Sequence, residues 1–274
     1  MTNTMSVEVL AHLAQGKSFL DLENKVVFIT GAGSGIGLAM AQAFAANGAR
    51  LALLDINAAS LDAAKRTLLA ARPGATIQLH VAAVDDEEAV ERAVSSAQEA
   101  YGGIDVLLNN AGIAMNQPTL ELSGADWRKA MDVNVNGVFY CGRAVARGMV
   151  KQGHGVILNT SSMYGVVAAP ERAAYCTSKA AVAMMTKVMA IEWGSHGVRV
   201  NAIAPGYVKT ALVDELVEAG RMDVQRLIAR TPMGRLGEPH EIAALSLFLA
   251  SDHASFINGH VIVADGGWSA YSYI

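Results

Sequence analysis

Short, mostly apolar runs alternate with longer segments of helical spacing, and this alternation restricts the folds open to the chain more than any other feature. Val26–Thr30 (VVFIT), Leu51–Leu54, Ile77–Val81, Val106–Leu108, Val156–Leu158, Val198–Ile203 and Val261–Val263 read as strands. Continuous apolar runs are expected of strands buried on both faces. Between them, Ile36–Ala46, a segment opening at Ser60, Glu87–Tyr101, Trp127–Val150, Ala173–Trp193 and His240–Ala250 read as helices. The long segment Trp127–Val150 is interrupted near Asn134. Asn47-Gly48, Arg72-Pro73-Gly74, Gly102-Gly103 and Gly194 supply stop signals. Such alternation means βαβ units, a parallel sheet and right-handed crossovers that place helices on both faces. The expectation is α/β: a single-domain, doubly wound parallel sheet of about seven strands. The domain is expected over residues 22–274, after an extension at 1–21 that is too poor in apolar residues for a core of its own.

The first strand runs straight into Thr30-Gly31-Ala32-Gly33-Ser34-Gly35-Ile36-Gly37, and a helix follows at once. Glycines allow a tight turn and a close backbone approach to a pyrophosphate, and the helix N-terminus then presents free N–H groups. On its own such a loop is also an ordinary turn. Asp55 ends the second strand, eighteen residues after Gly37. A carboxylate there would accept hydrogen bonds from adenosine ribose hydroxyls and repel a 2′-phosphate. The loop holds neither Lys nor Arg, and Ile56 and Asn57 follow the acid, so the expected cofactor is NAD rather than NADP.

Tyr175 and Lys179 are four residues apart on one helix and share a face. A free phenol, with a pKa near ~10, is a poor base at neutral pH. A nearby ammonium and an oxidised nicotinamide would both favour the phenolate. Ser162 lies just past the fifth strand, thirteen residues before Tyr175, where its hydroxyl would hold a substrate oxygen or serve as a cap. Asn134 is an unfavourable residue inside a helix; it would hold a water near Lys179 or mark a simple irregularity.

Composition narrows the remaining classes. Charged residues are 17% of the chain, the formal net charge is −4 and no basic block occurs, so no nucleic-acid partner is expected. Cys141 and Cys176 form no CxxC or Cys/His cluster and read as reduced thiols. The seven histidines show no metal-ligand spacing, so no metal is expected. No apolar stretch reaches the ~18 residues of a membrane span. The N-terminus lacks a signal-peptide pattern. A cytoplasmic protein with no membrane partner is expected.

In order along the chain, these motifs resemble the short-chain dehydrogenase/reductase family. The resemblance runs from Leu22 to Gly267 and rests on the Thr30–Gly37 loop, Asn109-Asn110-Ala111-Gly112, Asn134, Ser162, Tyr175 with Lys179, and Pro205-Gly206 followed by Thr210. It implies a Rossmann fold and hydride transfer between NAD(H) and an alcohol/ketone pair. The implied catalytic residues are Asn134, Ser162, Tyr175 and Lys179. Tyr175 would pass the proton and Ser162 would orient the substrate oxygen. Lys179 would lower the tyrosine pKa and bind the nicotinamide ribose, and Asn134 would anchor a water in a relay to solvent. The implied cofactor contacts are Gly31, Ser34, Gly35, Ile36 and Gly37, then Asp55 and Ile56, Val84 through its backbone, and Asn110, Ala111 and Gly112. Tyr175, Lys179, Pro205 and Gly206 join them, with Val208 and Thr210 at the carboxamide. One departure is Ala83, where the family's pattern has an acid for the adenine amine; Asp85 stands nearby as a substitute.

Residues 211–235 read as an amphipathic lid over the site, or as a plain pair of surface helices. Glu171 and Arg172 precede the tyrosine. Facing the pocket, they suit a polyol or sugar; facing solvent, they leave a hydrophobic ketone or secondary alcohol equally open. The aromatic tail Trp268–Ile274 would pack across a subunit interface of a homotetramer, or fray. The classes left open are a dehydrogenase of a small-molecule polyol, sugar or secondary alcohol, a ketone or 3-oxoacyl reductase, and a non-catalytic cofactor-binding regulator. Asp55 disfavours an NADPH-driven reductase, and the intact tetrad disfavours the regulator.

Overall fold

Every apolar run becomes a strand in the computed structural model, which describes residues 20–210, 213 and 223–272. These strands are β1 (Val26–Thr30), β2 (Arg50–Asp55), β3 (Ile77–Val81), β4 (Val106–Asn109), β5 (Gly155–Thr160), β6 (Val198–Pro205) and β7 (Val261–Ala264). Among the described residues they form one parallel sheet in the order β3-β2-β1-β4-β5-β6-β7. The chain winds from β1 towards one edge, then returns beside β1 to wind towards the other. That reversal opens a crevice at the carboxyl ends of β1 and β4.

The helices are α1 (Gly35–Ala46), α2 (Ala58–Ala71), α3 (Glu87–Tyr101), α4 (Gly124–Met131), α5 (Gly137–Gln152), α6 (Ala173–Gly194), α7 (Val224–Arg230) and α8 (Pro239–Ala250). Side-chain alternation along each strand feeds two cores. Val27, Ile29, Leu51 and Leu53 pack with α1, α2 and α8 on one face. Val26, Phe28, Ala52 and Leu54 pack with α3, α5 and α6 on the other. Both faces of β1 and β2 are covered, which is why these two strands show no polar alternation in their interior.

Caps explain where the helix ends differ from the pattern. Asn57 Oδ1 accepts the Ser60 N–H at 3.0 Å, so α2 opens at Ala58 rather than Ser60. Likewise α8 begins at Pro239, one residue before the expected start, behind a reciprocal Glu238/Glu241 capping box. Proline suits that first helical position, where its missing N–H would have had no partner in the helix. The interruption expected near Asn134 is a turn of π-helix, Asp132–Asn136, joining α4 to α5. Leu22 is core, and Asp21, placed in the extension by the sequence pattern, accepts the Asp252 N–H at 2.7 Å. The rest of the expected extension, residues 1–19, lies outside the described residues. No helix among the described residues is long and apolar enough to cross a membrane.

Candidate active site

The glycine turn is fixed by steric necessity. Gly31 and Gly35 adopt φ of 64° and 53°, in the left-handed region. A Cβ on Gly37 would collide with the Gly31 carbonyl oxygen. A Cβ on Gly33 would lie 2.8 Å from the Ser60 Cβ. The N-cap, Ser34, makes no side-chain capping bond, so the first N–H groups of α1 keep no side-chain partner there. Asn110 stitches this turn to the end of β4. Its Nδ2 donates to the Thr30 and Gly31 carbonyls, each at 3.2 Å. Thr30 Oγ1 accepts the Asn110 and Ala111 N–H groups, each at 3.1 Å.

Asp55 is held rather than merely solvated. Its Oδ2 accepts the Gly33 N–H at 2.9 Å and its Oδ1 accepts the Asn57 N–H at 3.0 Å. The carboxylate therefore stands at a set place between the glycine turn and the end of β2.

A cleft of about 590 Å³ runs along this edge of the sheet. That volume suits a small-molecule site. It starts at Gly31, Ser34, Gly35 and Ile36, passes Asp55 and Ile56, then Val84, and continues along Asn110, Ala111 and Gly112. It ends at Ser162, Tyr175, Lys179, Pro205, Gly206 and Thr210. A cavity of about 510 Å³ beside α7 and α8 contains none of these groups.

Tyr175 is half-buried, and burial pushes its phenol up; a hydrogen bond with Ser162 and the charge of Arg172 pull the other way. Lys179 is 3% exposed, and burial pushes its ammonium down to about 8. Its Nζ donates to the Thr160 carbonyl at 2.8 Å and lies 5.9 Å from the centre of the Tyr175 ring. The cation expected to lower the tyrosine is thus anchored on β5, and desolvation outweighs every charge acting on the phenol.

Three of the expected residues do not line the cleft. Asn134 is fully buried behind its wall. Its Oδ1 accepts the Ile113 N–H at 2.8 Å, and its Nδ2 donates to the Ile113 carbonyl at 3.0 Å and to Ser178 Oγ at 3.1 Å. A Cβ on Gly112 would lie 3.1 Å from Asn134 Oδ1 and 3.2 Å from Lys179 Nζ, so these two groups converge across a glycine. Gly37 packs on Gly31 instead of facing the cleft. Val208 is buried in a short parallel bridge with Gly237.

The cleft also has members that the sequence pattern passed over. Thr160 and Ser161 lie at the end of β5 and just past it, and the rule that ligands gather at carboxyl ends of strands points to them. Lys129, on α4, carries no such signal. Asp85 and Ala83 both line the adenine-side wall expected from the family pattern.

The Glu171–Arg172 pair splits. Glu171 is exposed at a φ of 63°. Arg172 Nη1 donates to Asn116 Oδ1 at 2.6 Å, and its guanidinium lies 5.2 Å from the Tyr164 ring centre. Trp268 meets Tyr207 edge-on at 5.3 Å, and Arg230 sits 5.0 Å from the Trp268 and Tyr271 rings alike. The described part of the aromatic tail therefore packs on α7 of its own chain. Residues 273 and 274, and residues 211, 212 and 214–222 of the expected lid, lie outside the described residues.

Known proteins are similar to this chain over nearly its whole length. The profile of the family described as enoyl-(acyl carrier protein) reductase matches residues 31–269. Galactitol 2-dehydrogenase (L-tagatose-forming) of Cereibacter sphaeroides is 45% identical over 253 residues, 91% of this chain and 97% of that protein. Gluconate 5-dehydrogenase of Gluconobacter oxydans is 42% identical over 239 residues, 87% of this chain and 92% of that protein. The crystal structure of levodione reductase superposes with a TM-score of 0.88 at 38% identity, covering 92% of this chain and 99% of that one.

Proposed function

The chain belongs to the short-chain dehydrogenase/reductase family, and we propose that it oxidises a polyol, sugar or other secondary alcohol to the ketone with NAD, Tyr175 acting as general acid/base. It is an oxidoreductase acting on CH–OH groups. One observation carries the finer reading: Ser162, Tyr175 and Lys179 open onto the same cleft as the glycine turn and Asp55.

The residues fit a nicotinamide dinucleotide. The turn leaves a cradle that a Cβ on Gly31 would fill, at 2.9 Å from the Ala111 Cα. The opening of α1 offers uncapped N–H groups for a pyrophosphate. Asp55, positioned by two backbone N–H groups, supports NAD over NADP. The cofactor supplies the two-electron acceptor for the carbinol hydride.

The chain's own groups handle the proton. Tyr175 as the phenolate takes the substrate hydroxyl proton at its phenolic oxygen, and as the phenol returns it in the reverse direction. Ser162, which opens onto the same cleft as that phenol, holds the substrate oxygen against it. Lys179 stabilises the phenolate as it forms; with its ammonium pushed down to about 8, it remains mostly charged near neutral pH. The Asn134 side-chain amide is taken up by Ile113 and Ser178, so its part in the relay is to position rather than to carry the proton.

The same reading includes a homotetramer in the cytoplasm. Met184, Val188 and Ile191 recur at helical spacing on α6 and are 59%, 46% and 81% exposed, an apolar stripe suited to a subunit contact. Cys141 and Cys176 are free thiols, in keeping with a reducing compartment.

The test is a panel of polyols, sugars and secondary alcohols with NAD and NADP, followed by NADH absorbance, on the wild type and Tyr175→Phe. Turnover is expected to favour NAD and to vanish in the variant while NADH still binds. Undiminished turnover by Tyr175→Phe removes the mechanism, and faster turnover with NADP overturns the cofactor assignment.

A further inference from the structure

Resting on that dehydrogenase reading, we infer that Arg172 is a specificity-determining residue that binds a carboxylate at the non-reacting end of the substrate. The preferred substrate is then a polyhydroxy acid rather than a neutral polyol. Arg172 is the N-cap of α6, three residues before Tyr175; it stands outside the lining of the cofactor cleft, close enough for its charge to act on the phenol. Its guanidinium is fixed from three sides. Nη1 donates to Asn116 Oδ1 at 2.6 Å, Nη2 reaches the Tyr207 hydroxyl at 3.4 Å, and the Tyr164 ring lies beneath at 5.2 Å. The Tyr164 and Tyr207 hydroxyls are joined at 3.0 Å. Tyr164 also donates its backbone N–H to Ser162 Oγ at 3.1 Å. One tight turn therefore carries both the substrate-orienting hydroxyl and the aromatic floor under the cation.

Every partner of this cation is neutral, and no described residue offers it a carboxylate. Some other arginines are compensated, although Arg50, Arg72 and Arg230 also meet only carbonyls and rings. Arg235 pairs with Glu241, Arg147 with Glu91 and Arg226 with Asp223, and Arg199 is met by four main-chain carbonyls. A guanidinium has five N–H donors, and the two hydrogen bonds here engage one on each terminal nitrogen. Its remaining donors keep the planar fork that a carboxylate matches with two parallel bonds, which a lone hydroxyl cannot do. A pre-oriented, half-buried cation with no internal counter-charge is what an anionic substrate end would complete. The carboxylate takes no part in the bond changes: the carbinol hydride leaves to the nicotinamide and the hydroxyl proton goes to Tyr175.

Paired substrates test this: D-gluconate against D-glucitol and D-galactonate against galactitol, assayed for kcat/KM with the wild type, Arg172→Gln and Arg172→Lys. NADH titration by fluorescence establishes that each variant is folded. The wild type is expected to prefer the acid of a pair. Arg172→Gln should lower the acid-to-polyol ratio roughly 10- to 100-fold, mainly through KM, as expected for losing a charged hydrogen-bond partner. Arg172→Lys should keep part of the preference. A wild-type preference for the polyols overturns the inference. So does an Arg172→Gln variant that binds NADH yet loses both substrates equally with a shifted pH profile, since Arg172 would then act only through Tyr175. Should Arg172→Gln fail to bind NADH, an Arg172→Lys ratio unchanged from a polyol-preferring wild type is equally fatal, and a retained acid preference supports it. Absence of turnover on every acid and polyol, with either dinucleotide, would instead remove the dehydrogenase reading itself.

Discussion

Replacing Lys179 by Met should abolish turnover, and the stability of the variant relative to the wild type should fall as the solution goes from neutral to alkaline. The Lys179 ammonium is buried, with the Thr160 carbonyl at 2.8 Å as its hydrogen-bond acceptor. Burial pushes it from 10.5 down to about 8. At about pH 7 both the folded and the unfolded chain carry the proton, so the folded state bears the full desolvation cost. Between the two values the unfolded chain holds a proton that the folded chain has released, so wild-type stability rises with pH across that window. At about 1.4 kcal/mol per pH unit, the change from about pH 7 to about pH 10 is roughly 2 to 3 kcal/mol. Met keeps the length and the apolar stem and removes the charge. It also leaves the Thr160 carbonyl unpaired, at about 1 to 3 kcal/mol. That second effect does not depend on pH, so the difference between variant and wild type isolates the first. Urea unfolding of both proteins at equal protein concentration, from about pH 7 to about pH 10, reads the difference directly. A variant stability that stays constant or rises relative to the wild type as pH increases would falsify the claim that Lys179 is an uncompensated buried cation.

Two further outcomes follow from the cofactor end of the cleft. Gly37→Ala drives a methyl into a main-chain oxygen that cannot swing aside, so thermal unfolding should show a loss of about 1 to 3 kcal/mol or more. NADH binding by fluorescence should weaken with it, and a variant matching the wild type in both would show that the turn is not close-packed. Asp55→Ser removes the carboxylate held by Gly33 and Asn57, and the NAD-to-NADP ratio in kcat/KM should fall roughly 10- to 100-fold; an unaltered ratio would place the discrimination elsewhere.

The fold is legible in the sequence because parallel strands covered on both faces must be apolar at every position, as Val26–Thr30 nearly is. Topology then brings Gly31, Asp55, Asn110, Ser162 and Gly206 to one edge without any knowledge of their contacts. What is not legible depends on long-range partners. Asn134 stands out as a poor helix residue, which locates the irregularity, but its kind is set by Ile113 and Ser178, 21 and 44 residues away. Lys129 reaches the cleft only because α4 packs beside it. Glu171 and Arg172 are adjacent and indistinguishable in pattern; a left-handed residue at Glu171 turns one to solvent, and Asn116, 56 residues earlier, captures the other.

The same division separates what holds the protein together from what makes it act. Apolar periodicity specifies the two cores, and a change there is felt as volume. The polar groups at the sheet edge contribute little to that stability, and some oppose it: Lys179 is a buried cation on a single carbonyl, and Tyr175 is a phenol that burial keeps neutral. The ammonium is the unfavourable member, and a proton leaving the phenol would give it a counter-charge. Strain of this kind has no reason to persist in a purely structural site, because hydrophobic residues of similar size would fill the space at less cost. The burial of this ammonium is therefore itself an argument that the cleft is built for proton transfer, and it is the cost of that burial that the Lys179→Met comparison measures.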